Sequence, residues 1–204
     1  MPPEFLREYN MPRIAKDSLL TLEAYARQRK EFRARAMEHK KQRSLPLGDH
    51  VALLFEDELT IRYQVQEMLR IERIFEEQGI QDELEAYNPL IPDGTNFKAT
   101  LMIEYPEVDE RRRMLARLKG IEDRVWIQVE GCARVYAIAD EDLERETEDK
   151  TSSVHFLRFE LSEEMRRALK YGVGLAAGVD HPEYRITLGA VPEGLRASLV
   201  QDLA

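Results

Sequence analysis

Residues 57–78 read DELTIRYQVQEMLRIERIFEEQ, and their apolar positions recur three, four and seven apart. A helix advances about 100° per residue, so such positions share one face. Ile61, Val65, Met68 and Phe75 form that face, and Ile71 borders it. Two polar residues fall inside it: Gln64 between Ile71 and Ile61, and Glu72 between Ile61 and Val65. A carboxylate on a buried face must be paired, bound or neutral, because an isolated buried charge is too costly. The pattern therefore predicts a central helix over 57–78 that holds two residues in need of partners.

The segments on either side follow from the same reading. Residues 1–16 are proline-marked and read as extended. Asp17 or Ser18 can cap a long helix to about Arg43, whose last turn places Lys40, Lys41 and Arg43 where the helix dipole favours positive charge. Its apolar stripe is thin (Leu22, Tyr25, Phe32 and Ala36, with Arg29 among them), as for a helix on the outside of a domain or against a partner. Residues 44–50 read as a turn-rich linker and 51–55 as a short buried strand. Gly79 is placed to end the central helix; a short helix over 81–87 and a rigid loop over 87–94 follow.

From Phe97 the period changes to two. Strands are predicted over 97–105, 124–130, 133–139, 153–160, 172–179 and 184–190, with the second and third forming either a tight hairpin or one bent strand. Helices are predicted over 108–119, after Ser162, and from Pro192 to Leu203, and 140–150 is an acidic loop. Short turns between strands cannot make parallel crossovers. The fold class is α+β: a mostly antiparallel sheet of about six or seven strands with helices packed on one face, plus the long N-terminal helix. Residues 1–43 are expected to be an extension and 44–204 a single domain.

Charge divides the chain of 204 residues: 1–43 carries 11 Lys+Arg against 6 Asp+Glu, and the remainder 19 against 33. The acidic bulk does not suit phosphate contacts. Arg27, Arg29, Lys30, Arg33 and Arg35 are spread around the first helix rather than lined up, so no nucleic-acid partner is expected. One cysteine, Cys132, excludes an internal disulfide and a multi-cysteine metal site. The N-terminus lacks the apolar core of a signal peptide, and no run approaches the ~18 apolar residues of a membrane span, so a cytoplasmic protein is expected.

No motif identifies a reaction. Nucleophile-elbow, dinucleotide and phosphate-loop patterns are missing from the sequence. The candidate ligands are single residues. Alternation over 153–160 puts Ser153, His155, Leu157 and Phe159 on one face and Val154, Phe156 and Arg158 on the other, so His155 and Arg158 are both candidates for burial. His181 lies in a turn beside Asp180 and Pro182, three residues before Tyr184. A metal reading joins His155 and His181 to Glu72, a set that suits Fe, Zn or Mn. An anion reading uses Arg158 with His155 or His181 to hold a carboxylate or phosphate. Against both stands a buried pair of Arg158 with Glu72 or Glu104, the preferred reading, with the histidines hydrogen-bonded in the core.

Taken together, Gln64-Val-Gln-Glu-Met-Leu-Arg70, Tyr87-Asn-Pro-Leu-Ile-Pro92, Ser153-Val-His-Phe-Leu-Arg-Phe159, Asp180-His-Pro-x-Tyr184 and the terminal Ser198-Leu-Val-Gln-Asp-Leu203 resemble a bacterial family of about 200 residues, a domain of unknown function. The resemblance covers about 16–203. It flags Gln64, Glu67, Arg70, Asn88, Pro92, His155, Arg158, His181, Tyr184 and Asp202 without giving them roles. The family's genes often lie beside rubrerythrin and a cysteine-rich iron–sulfur oxidoreductase similar to heterodisulfide reductase subunits. That implies an accessory protein working with redox partners in peroxide defence or iron–sulfur metabolism; the alternative is a small-molecule or metal-binding enzyme with a His/Glu/Arg pocket.

Overall fold

A computed structural model describes residues 13–141 and 145–204; the extended reading of residues 1–12 lies outside them. After a short 3-10 turn, α1 (Leu22–Gln42) begins at Thr21, whose hydroxyl accepts from the Ala24 amide. β1 (Ser44–Pro46) and β2 (Val51–Glu56) form a hairpin in place of the expected linker. Leu45 and Leu47 alternate into the core, and Gly48 takes the positive φ of 83° that the turn requires. Then come α2 (Glu58–Ile71), α3 (Glu77–Tyr87), β3 (Asn96–Ile103) and α4 (Val108–Arg117). β4 (Val125–Val129), β5 (Val135–Tyr136), β6 (Ile138–Ala139), β7 (Val154–Glu160), α5 (Glu163–Lys170), β8 (Leu175–His181), β9 (Tyr184–Leu188) and α6 (Glu193–Val200) complete the chain.

The strands form two antiparallel sheets rather than one, in the orders β1-β2-β3-β7-β6 and β5-β4-β8-β9. The run 135–139 serves both: β5 pairs with β4, the chain turns at Ala137, and β6 pairs with β7. The inner faces of both sheets share one buried cluster, with Leu53, Phe55, Phe97 and Leu157 from the first and Ile127, Ala177 and Val179 from the second. A smaller cluster, Ile14, Ile61, Val65, Leu69, Leu84 and Ile91, is built around α2 and α3. No described helix is long and apolar enough to cross a membrane.

The central helix is shorter than its pattern predicts. Asp57 caps α2 in a reciprocal box with Thr60, and the helix stops at Ile71. Arg73 adopts a left-handed φ of 55°, and the Ile74 amide reaches back to the Leu69 carbonyl at 2.9 Å. This is a Schellman ending with arginine where glycine is usual, and Gly79 lies inside α3 instead. Ile71 and Phe75 are therefore exposed, and Glu72 caps the helix end in solvent. The buried line is Ile61, Val65 and Leu69, and its polar companions are Gln66 and Glu67. Gln66 satisfies both backbone groups of Leu20, accepting from its amide at 2.8 Å and donating to its carbonyl at 3.2 Å. Glu67 takes a bidentate pair from Arg29 at 2.8 and 2.9 Å, a second pair from Arg70, and the Tyr25 hydroxyl at 2.7 Å. Arg29 above all, then Arg70 and Tyr25, hold the Glu67 carboxyl down to about 2. The carboxylate–arginine pairing expected of this helix exists, but it ties α2 to α1 through Glu67 and not through Glu72.

Candidate metal centre

The alternation of β7 buries His155, Leu157 and Phe159 and leaves Val154, Phe156 and Arg158 on the outer face. His155 is completely buried, and both its ring nitrogens have close oxygen neighbours. Asp140 directly follows β6 in a left-handed conformation (φ 46°), which a short polar side chain tolerates better than most. From there its amide donates to the Phe156 carbonyl, its Oδ1 accepts the Phe156 amide at 3.0 Å, and its Oδ2 lies 2.5 Å from His155 Nδ1. One residue thus extends the sheet edge and fixes the imidazole. Arg145 supports it, with Nη1 3.0 Å from Asp140 Oδ1 and its guanidinium 4.6 Å from the Phe156 ring centre.

The other side of the ring is richer in oxygen. His155 Nε2 is 2.9 Å from Thr151 Oγ1, 3.1 Å from the Ser152 carbonyl and 3.8 Å from Glu122 Oε2. Thr151 Oγ1 is 3.3 Å from the same Glu122 oxygen. Glu122 opens the 3-10 turn Glu122–Arg124, behind Gly120 at φ 76°. Burial raises its carboxyl above the usual range; its own amide and His155 oppose the rise, and Glu146 and Asp123 add to it. Among the described residues, Glu122, Asp140 and His155 offer ligand atoms within 4.8 Å of one another. An open groove of about 330 Å³, lined by Gly120, Asp123, Arg145 and Glu146, runs beside Glu122 and Asp140.

The tautomer follows from the neighbours. Nδ1 faces a carboxylate and carries the proton. In the neutral ring the Nε2 lone pair then faces a hydroxyl, a carbonyl and a carboxylate, and the single Thr151 hydroxyl proton serves both Nε2 and Glu122. A histidine oriented by a carboxylate on its remote nitrogen, with oxygens around the near one, is the usual arrangement at a metal ion.

The residues singled out from the sequence go to different places. His181 Nε2 donates to the Lys119 carbonyl at 3.0 Å and its Nδ1 accepts from the Glu183 amide at 3.2 Å, so the ring clasps the β8–β9 turn onto the chain after α4. Tyr184 donates to the Leu47 carbonyl at 2.7 Å and packs on Gly48. Gln64 is half-buried on α2, and Glu72 is exposed. Neither His181 nor Glu72 belongs to the group around His155. Arg158 pairs with neither Glu72 nor Glu104: it makes a two-bond fork to Glu141, 2.7 Å on each arm, and a further bond to Glu160. Glu122 and Asp140 carry no local sequence signal, because separate loops bring them to His155; Thr151 lies only four residues before it, but in an irregular stretch whose period does not report the contact. Asp202, one of the residues flagged by resemblance, is buried against Arg43.

With this arrangement in view, the comparisons fix the kin of the protein. The chain belongs to the family described as "Protein of unknown function (DUF3501)", which matches residues 13–203. Among solved structures it is similar to a crystal structure described as a novel protein of unknown function from Burkholderia pseudomallei K96243. That chain is 57% identical, the match covers 95% of this chain and 100% of that one, and the TM-score is 0.91. No curated protein matches.

Proposed function

We propose that the protein binds one divalent metal ion at His155 Nε2 and Glu122, with Thr151 Oγ1 and the Ser152 carbonyl completing the donor set and Asp140 orienting the ring. The carrying observation is the buried Nε2 atom with three oxygens within 3.8 Å on the side away from Asp140. One imidazole and several hard oxygens suit Mn²⁺, Fe²⁺ or Zn²⁺ better than a soft thiophilic ion. A cation would also relieve the buried Glu122, whose close partners are one shared hydroxyl proton and its own amide. The groove beside Glu122 gives the ion a route in. Titration of untagged protein with MnCl₂ and ZnCl₂ is expected to show one site per chain. His155→Ala abolishes it, and Asp140→Asn, which keeps the shape but weakens the hold on Nδ1, lowers affinity about 10–100-fold. Failure of both ions to bind wild-type protein at millimolar concentration removes the reading.

The redox-partner role implied by the family's gene context is a second reading. With one cysteine, the chain would depend on an iron–sulfur partner to bring its own cluster. The exposed basic side of α1, with Arg27, Lys30 and Arg33, is the surface opposite in charge to the acidic remainder. Reversing those three to Glu is expected to abolish capture of purified rubrerythrin by the full chain at low salt; undiminished capture, or none by the unaltered chain, counts against the role.

A further inference from the structure

β3 buries Phe97, Ala99, Leu101 and Ile103 and turns Lys98, Thr100 and Met102 to its other face. Lys98 stands directly across the ladder from Arg158. The two cations differ in what surrounds them. Arg158 is matched by Glu141 and Glu160. Lys98 is half-buried, and its ammonium makes no hydrogen bond or ion pair with any described residue. Burial, followed by the charge of Arg158, lowers its pKa, while Glu141, Asp93 and Glu160 oppose the fall from beyond ion-pair distance. An ammonium taken partly out of water without an acceptor is an unfavourable arrangement unless something else supplies one.

The space around Lys98 indicates what that is. It lines two adjoining cavities, of about 460 and 370 Å³, which share Glu85 and Pro89 as well. The larger is polar and contains Arg13, which also makes no ion pair with a described residue. Of its two carboxylates, Glu85 and Asp93, the second is held by the Thr95 amide and hydroxyl at 2.8 and 2.7 Å. The smaller cavity is walled mainly by Ala86, Pro89, Leu90 and Phe156, with the paired Glu141 and Arg158 at its side. Lys98 therefore marks the junction of a polar compartment, where it and the exposed Arg13 make no direct ion pair with a described residue, and a mainly apolar compartment with an aromatic wall.

We infer that this cleft binds a small amphiphilic anion, with a carboxylate or phosphate between Lys98 and Arg13 and an aliphatic or aromatic body against Pro89, Leu90 and Phe156. Neither half explains the other alone. An inorganic anion would leave the apolar wall unused, and a neutral apolar ligand would bury the ammonium further without an acceptor. The site is separate from the His155 centre and does not depend on metal binding there.

Calorimetric titration of the full chain with phenyl phosphate, hexanoate and inorganic phosphate tests this and distinguishes the two anion types. At least one of the organic anions is expected to bind about tenfold tighter than inorganic phosphate, because the ring or chain enters the apolar compartment. Lys98→Met keeps the length of the side chain and removes the charge. It is expected to weaken binding by about tenfold or more, the size of one lost charge-assisted hydrogen bond, while thermal stability stays equal or rises. Phe156→Ala is expected to erase the preference over inorganic phosphate. Equal binding by wild type and Lys98→Met, or no binding of either organic anion at 10 mM (on the order of the weakest useful affinity), overturns the inference. Manganese titration of Lys98→Met runs alongside and is expected to match wild type, so failure at either site is read independently.

Discussion

Arg43→Met is expected to cost about 3–5 kcal/mol of stability, because it removes one partner of a buried charge pair and strands the other. Arg43 ends α1 with its side chain 1% exposed, and its guanidinium nitrogens all bond to other segments. Nε donates to the Phe55 carbonyl at 2.9 Å, Nη2 to the Glu56 carbonyl at 3.1 Å and to Asp202 Oδ2 at 2.5 Å, and Nη1 to Ser198 Oγ at 3.0 Å. The fork thus fastens the end of α1, the end of β2 and the chain terminus after α6 at one point. Asp57 joins from the start of α2, its Oδ2 3.5 Å from Arg43 Nε and 2.5 Å from His39 Nε2. Burial pushes the Asp202 carboxyl up to about 6 even with the arginine beside it, so without Arg43 the ionised form has little to hold it in the fold. For a domain of this size the loss corresponds to a melting point lower by roughly 10 °C. Arg43→Lys falls between, since a single ammonium cannot serve carbonyls and carboxylate together. The variant Arg43→Met/Asp202→Asn is expected to recover part of the loss. A change in urea midpoint equivalent to less than ~1 kcal/mol for Arg43→Met would place the cluster among ordinary surface ion pairs.

Arg43 also shows where reading the sequence stops. A cation in the last turn of a helix is favourable in solvent, so local pattern gives no reason to bury it. What buries it is the return of residues 198–202, over 150 positions later, and no periodicity reports such a return. The same division runs through the molecule. Alternation over 153–160 correctly separates His155 and Arg158 onto opposite faces, because the two-residue period of a strand is a local property; with both faces largely apolar it left both residues as candidates for burial, and only His155 is buried. It could not say that 135–139 would be split between two sheets, since a face is local and a sheet is not.

The central helix failed for a narrower reason. Including Phe75 in the apolar stripe drew its centre toward Glu72. Arg73 in a left-handed cap ends the helix before that position, and the buried line becomes Ile61, Val65 and Leu69, with Glu67 turned toward α1. The principle that a carboxylate there must find a cation held; the residue and the cation were different ones. At the candidate metal centre His155 was legible for the same strand-level reason. Asp140 and Glu122 were not, because a left-handed residue at a sheet edge and a buried 3-10 turn place them.

Gly178→Ala tests the second sheet, where the expected effect is of similar kind but purely steric. β8 carries Gly178 opposite Trp126 of β4 on one side and Thr187 of β9 on the other. A β-carbon at 178 would lie 2.4 Å from the Ile186 carbonyl oxygen and 2.4 Å from the Trp126 ring. The ring has little freedom to yield: it is 1% exposed, and the Arg134 guanidinium sits 3.9 Å from its centre. Arg134 is in turn fixed by Asp180 at 2.6 Å. Overpacking of this kind costs about 1–3 kcal/mol, and here backbone and ring must both give, so the upper end is expected, with a melting point roughly 5–10 °C lower. Trp126 is the sole tryptophan of the chain, so its emission reports the displacement directly. Gly174 supplies the control within the same sheet. A β-carbon there meets only the Glu130 side chain, at 3.0 Å from the carboxylate end, which can swing away. Gly174→Ala is therefore expected to be neutral, or stabilising by up to about 1 kcal/mol through the less flexible unfolded chain. If the two alanine variants melt together, the close approach of Trp126 to Gly178 is not what fixes the second sheet. If only Gly178→Ala melts early, with a red-shifted tryptophan, the glycine is there because the indole occupies the space a side chain would need.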